Sequence, residues 1–240
     1  MQFTKLTLAA AVAALIASPA AAANVDISGL TNSDLQTYTN GTSYPVGGNT
    51  VTINGVNFLL TTLGGNAGTT GVIQTPYDYS NSSVTIDVYQ ANVGTVYTLI
   101  NSAFGLNPVQ NGELVFHDSA GDSYTYNLVE GTNVRDHYDG SFINTVTNVY
   151  GTVTYPAPTG SPFTGDVRFD AQQIVLPAGF DSSTLTTIDF VGLATGGANG
   201  APFLAAITTA SAPSPTPGAG LAGVAAVLAW LAFAKRQKRA

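Results

Sequence analysis

Cysteine is absent from the 240-residue chain. That excludes a disulfide framework, thiolate chemistry and any cysteine zinc site. Glutamate is nearly absent too, occurring only as Glu113 and Glu130. Charged residues reach only 9%, against roughly 25% in an average soluble domain. Helix surfaces are normally covered by Glu, Lys, Arg and Gln, so a large helical domain is excluded. Basic residues are missing from the middle of the chain. Lys5 lies at one end, Lys235, Arg236, Lys238 and Arg239 at the other, and Arg135 and Arg168 stand alone between them. All fourteen acids fall between Asp26 and Asp189, which gives that stretch, with its two arginines, a formal charge of −12. Nucleic-acid binding needs a basic footprint, so nucleic acid is excluded as a partner. What the chain has in quantity is Thr, Ser, Asn and Gly, with a 45% hydrophobic share able to fill a sizeable core.

Both ends read as addresses. Residues 1–23 have a positive Lys5, an apolar stretch from Leu6 to Ile16 and a small-residue zone from Ser18 to Ala23. These are the three parts of a secretory signal, with cleavage expected after Ala23 and Asn24 as the mature N-terminus. Residues 211–217 read as a Pro-rich linker. Residues 218–234 are an apolar run near the lower length limit for a transmembrane helix. Residues 235–240 are a basic tail that the positive-inside rule keeps in the cytoplasm. Pro215-Thr216-Pro217, the apolar run and the basic end together resemble the PEP-CTERM sorting signal of Gram-negative exosortase substrates, with Thr216 where the family's motif has Glu. The resemblance implies an exosortase-type sorting protease as a partner. It also implies an intermediate anchored in the inner membrane through the C-terminal helix, then a place at the cell surface or in the extracellular matrix. A plain single-pass anchor is the other reading of the same run.

Between 24 and 210 short alternating runs are punctuated by Gly, Asn, Pro and Asp. Val84 to Tyr89, Ser123 to Leu128, Val149 to Tyr155, Val167 to Leu176, Leu185 to Val191 and Phe203 to Thr208 alternate with period two. Period two with β-branched and aromatic residues predicts strands. Turns are expected at Asn54-Gly55, Asn111-Gly112, Ala120-Gly121-Asp122 and Asp139-Gly140. The pattern predicts an all-β, jelly-roll-like antiparallel β-sandwich. Asn40 to Thr75 reads as loop-heavy, and Leu99 to Phe104 as the one place for a short helix or tight turn.

The run Val96-Tyr97-Thr98-Leu99-Ile100-Asn101-Ser102-Ala103-Phe104-Gly105 resembles a strand of galactose-binding-like jelly rolls. Tyr126 to His137 resembles a segment common in exosortase-sorted proteins. The resemblance implies a sandwich of the kind that accompanies bacterial glycosidases and surface proteins.

Arg135-Asp136-His137-Tyr138-Asp139-Gly140 is the densest polar cluster in a chain with little charge. Arg135, Asp136 and His137 suit sugar hydroxyls, and Tyr138 a stacking face, as do Tyr77 and Tyr79 in a separate polar loop. Asp136 and Asp139 with loop carbonyls suit a structural Ca²⁺; no other cofactor is implied. An intramolecular ion pair in a buried turn is the third reading of the cluster. Catalytic signals are thin. Gly121-Asp122-Ser123 resembles the nucleophile block of one esterase family, but neither His117 nor His137 has the Asp three residues earlier that the family needs. Glu113 and Glu130 are the only glutamates available for a glycosidase pair. His117-Asp118 reads as a hairpin edge. The leading expectation is a non-catalytic, exported surface or matrix protein whose domain binds carbohydrate, with polysaccharide as partner. The alternatives are a structural or adhesive protein without a small ligand, and an esterase or glycosidase.

Overall fold

Alternating Val, Ile, Tyr and Phe against Thr and Ser becomes strand after strand. The computed structural model describes residues 22–38, 43–76, 80–105, 108–140, 142–157, 165–194 and 200–212. The first strands are β1 (Ala22–Val25), β2 (Ser33–Asp34), β3 (Thr50–Ile53), β4 (Val56–Leu59), β5 (Gly71–Gln74) and β6 (Ser82–Ala91). Then come β7 (Val93–Ala103), β8 (Gln110–Asp118), β9 (Ser123–Val129) and β10 (Gly151–Tyr155). The last are β11 (Val167–Val175), β12 (Thr184–Gly192) and β13 (Ala201–Ser211). Among the described residues helix is confined to Leu35–Tyr38 and two short 3-10 turns. The expected signal peptide up to Ala21, Tyr77, Tyr79, the Pro215-Thr216-Pro217 motif, the apolar run and the basic tail lie outside the described residues.

A seven-stranded sheet runs in the order β10-β11-β7-β13-β5-β2, with β1 also paired to β13. A four-stranded sheet runs β6-β12-β8-β9, and β3 and β4 form a separate hairpin. All the strand pairings are antiparallel. One core lies between the two sheets. It joins Val96, Ile100, Leu204 and Ile207 of the larger sheet to Ile86, Phe116, Leu128, Ile188 and Phe190 of the smaller. A second core lies on the other face of the larger sheet. There Leu99, Phe169, Phe203, Ala205 and Ala206 meet Val51, Ile53 and Phe58 of the hairpin.

The larger sheet is thus covered on both faces, and this explains where alternation fails. Leu99 to Phe104, expected as a helix or turn, is the end of β7 and the residue beyond it. Leu99 enters one core and Ile100 the other, so both phases of the strand are apolar. In β13 the register slips between Leu204 and Ala206. The bulge resets the alternation and sends two consecutive alanines, Ala205 and Ala206, to the same core.

Asn54-Gly55 forms the predicted tight turn between β3 and β4, with both residues at positive φ, 49° and 83°. Gly121 and Gly140 also turn at positive φ. Asn111-Gly112 is not a turn but lies inside β8. Gly112 has no room for a side chain there, since a Cβ would stand 2.7 Å from the Val191 carbonyl oxygen. The expected loop-heavy stretch from Asn40 to Thr75 holds β3, β4 and β5.

Candidate functional site

The Arg135–Asp139 run occupies a split in the larger sheet. β11 pairs with β7 only from Ala171 to Val175, opposite Leu99 to Thr95. Beyond Ala171 the two strands part, and residues 135–139 fill the gap between them. On the β7 side Ser102 N donates to Arg135 O at 2.9 Å and His137 N to Ser102 O at 3.0 Å. On the β11 side Arg168 N donates to His137 O at 2.9 Å and Asp139 N to Asp166 O at 2.6 Å. The run is parallel to β7 and antiparallel to β11. It acts as an inserted strand, and its backbone groups are satisfied on both sides.

The side chains follow from that position. Arg135 donates through Nε and Nη2 to the two carboxylate oxygens of Asp170, at 2.7 and 2.9 Å. It also reaches Thr152 Oγ1 and Asn144 O. Arg168 donates to the carbonyls of Asp136 and Tyr138 and to Asp139 Oδ1. Asp136 accepts from Tyr138 N and Phe104 N. His137 Nδ1 lies 3.0 Å from Tyr44 Oη, and that hydroxyl donates to Arg168 O. Burial pushes Asp136 up to about 7 even though these N–H groups and Arg168 pull the other way. Burial first, and the charge of Arg168 second, push His137 down to about 3.

The expected ligand-facing loop therefore faces inward. Asp136, His137 and Tyr138 are buried, Tyr138 at 1% exposure, so the ring that suited a sugar has no open face. An ion pair of Arg135 with Asp136 or Asp139 inside the turn does not form. Arg135 pairs with Asp170, and Asp139 pairs with Arg168. Both partners sit on β11, about thirty residues further along. No local signal in the sequence marked Asp170. The expected Ca²⁺ pair is not gathered, because Asp136 accepts main-chain hydrogen bonds while Asp139 points to the Arg168 guanidinium. Among the described residues no three His, Asp or Glu side chains converge as metal ligands.

Beside the inserted strand lies an open cleft of about 450 Å³, lined by Pro108, Thr132, Phe142, Asn144 and Thr145 with the Glu130-Gly131 turn. Phe142 is 40% exposed. Its ring meets that of Phe104 edge-on, with centroids 5.3 Å apart. Both phenylalanines sit at positive φ, 44° and 62°, a conformation bulky residues adopt only under constraint. This cleft is the feature the sequence reading missed, because Phe142 carried no motif.

The outer face of the smaller sheet carries the remaining polar candidates. His117 Nε2 lies 3.0 Å from Asp189 Oδ2, and Thr85 Oγ1 donates to Asp189 Oδ1 at 2.6 Å. Ser123 stands opposite His117 in the β8–β9 register. His117-Asp118 ends β8 at the hairpin to β9, as expected, and Asp118 accepts from Ala120 N and Asp122 N to close the turn. Glu113 lies half-buried on β8, while Glu130 is fully buried. The two do not face a common space. Comparison with protein-family models and with curated proteins finds no match to this chain.

Proposed function

We propose that the chain is an exported cell-surface or extracellular-matrix protein with a non-catalytic jelly-roll domain that binds carbohydrate at the Phe142 cleft. The observation that carries the binding reading is the cleft itself. A half-exposed aromatic face beside Thr132, Asn144 and Thr145 offers a stacking platform with hydroxyl and amide partners. Export and sorting rest on the two ends of the sequence. The variant motif makes an exosortase-type protease the processing partner, with the inner membrane holding the intermediate. A glycan array probed with the wild-type and Phe142→Ala chains tests the site. Loss of binding at unchanged melting temperature is the expected result. Equal binding by both chains, or binding to no glycan, overturns it. Intact-mass spectrometry of surface material tests the sorting, and Lys235 to Ala240 should be missing.

A second reading is ester hydrolysis, favoured by one observation. Ser123, His117 and Asp189 come onto one sheet face from three strands, with His117 joined to Asp189. The order nucleophile, base and orienting acid is that of a hydrolytic triad. The Phe142 cleft, and a second cleft lined by Asn24 to Ile27 (the end of β1 and beyond) and by Leu59 to Thr62, lie elsewhere on the fold. Labelling of Ser123 by a fluorophosphonate probe, abolished by His117→Ala, would establish this reading, and its absence would remove it.

A further inference from the structure

The smaller sheet ends in β6 on one side and β9 on the other, and among the described residues no strand pairs beyond either. Free edges invite pairing with another chain, and proteins block them with lysine, other charges, proline or bulges. Lysine is absent between Lys5 and Lys235. β6 is protected by other means. Asp87 stands exposed within it, and an extra residue bulges beside Tyr89, which sits at φ 50°. β9 has none of these devices. Its run, Ser123-Tyr124-Thr125-Tyr126-Asn127-Leu128-Val129, holds no charge and no proline, and the bulge in its pairing with β8 lies on β8.

The direction of the β9 main-chain groups is fixed at both ends. Asp122 O accepts from Asp118 N at 3.1 Å, and Glu130 N donates to Val109 O at 3.0 Å. Even-numbered residues therefore turn their groups toward β8, and odd-numbered ones turn outward. Asn133 closes one half of that outward row. Its amide donates to Asn127 O at 2.9 Å and accepts from Val129 N at 2.8 Å. Among the described residues nothing meets the main-chain groups of Ser123 and Thr125, or the N–H of Asn127. This open stretch is centred on Thr125 and is complementary to itself. A second β9, laid antiparallel about a two-fold axis at Thr125, exchanges both N–H···O bonds between the two Thr125 residues. Ser123 of each copy then stands opposite Asn127 of the other. On the inner face, half-buried Tyr124 meets Tyr126 of the second copy, a cross-strand aromatic pair of the kind that stabilises sheets. Two copies of so acidic a body repel each other, but this approach brings no acid opposite another. We infer that the protein forms a dimer of two copies joined edge to edge through β9, which merges their smaller sheets into one continuous sheet.

Because position 125 faces itself across the axis, the test can be specific. Thr125 is exposed on the outer face, so substitutions there leave the fold alone. Native mass spectrometry of the full chain, released from mild detergent, should show a dimer. Thr125→Lys and Thr125→Glu, each at an unchanged melting temperature, set like charges against each other and should weaken the dimer about tenfold. Mixing the two variants should restore it as a heterodimer recognisable by its mass, because lysine then faces glutamate. The absence of cysteine allows a second reading. Opposed Cα atoms about 5.5 Å apart suit a disulfide. Mild oxidation should therefore give a covalent dimer with Thr125→Cys, but not with Ser83→Cys on the exposed face of β6. A monomeric wild type, a dimer that Thr125→Lys leaves as strong, or a mixture without heterodimer overturns the inference. Equal cross-linking through positions 83 and 125 overturns it as well.

Discussion

Replacing Arg135 by Ala separates a brace from a binding loop. The guanidinium forks onto Asp170, whose side chain is fully buried, while Arg135 keeps 15% of its own side chain in solvent. Removing one partner of a buried ion pair costs about 3–5 kcal/mol, mostly through the charge left unpaired. Asp170 would retain Asn101 Nδ2 at 2.9 Å and the Thr152 hydroxyl, and the cavity left by Arg135 opens toward water. Both effects place the loss at the lower end, about 3 kcal/mol. With a urea dependence of about 2 kcal/mol per molar, the midpoint should fall by about 1.5 M. Unfolding followed by tyrosine near-UV dichroism measures it. Asp170→Asn should cost a similar amount, and the double variant should cost clearly less than the sum, because neither charge is then stranded. A loss under about 1 kcal/mol for Arg135→Ala, with no coupling to Asp170, would refute the brace, since ordinary surface positions behave that way.

Three further outcomes are expected. Gly165→Ala should abolish folded protein in a soluble-expression assay, because its Cβ would stand 1.1 Å from the Asp139 carbonyl oxygen at a φ of +87°. Tyr89→Gly should raise the melting temperature. Tyr89 is 69% exposed yet sits at φ 50° where β6 bulges against β12, and relieving a left-handed non-glycine residue returns about 1 kcal/mol. Stability should be higher at pH 5 than at pH 8 in urea titrations. Glu130 and Asp136, both raised to about 7, keep protons that the unfolded chain releases. His137, lowered to about 3, opposes them below its ordinary value of about 6.5, but is one group against two.

Strands with one wet face were legible. β9 alternates Tyr124, Tyr126 and Leu128 inward against Ser123, Thr125 and Asn127 outward, and period two is what the sequence displays there. Strands with two dry faces were not, as Leu99 and Ile100 demonstrate, because burial on both sides erases the alternation. The scarcity of charge correctly drew attention to Arg135 and its neighbours. It could not say which way they face. That depends on Asp170 and Arg168, carried by a strand whose distance from Arg135 in space no local pattern encodes. Phe142 was invisible for a different reason. A single aromatic in a polar loop acquires meaning only when Phe104, brought from the end of β7, closes on it.

β13 has a bearing on when, rather than how, the chain can fold. It pairs with β7 along its length, and with β5 and β1 in succession on its other edge. Without it the larger sheet falls into pieces, and β1 has no partner until a strand 184 residues away arrives. A chain delivered N-terminus first therefore stays open through most of its passage and closes late, in one event. Pairings this distant in sequence are also intrinsically slow to form. For a chain crossing a membrane unfolded, such lateness is an advantage. The larger sheet cannot close until its middle strand is available.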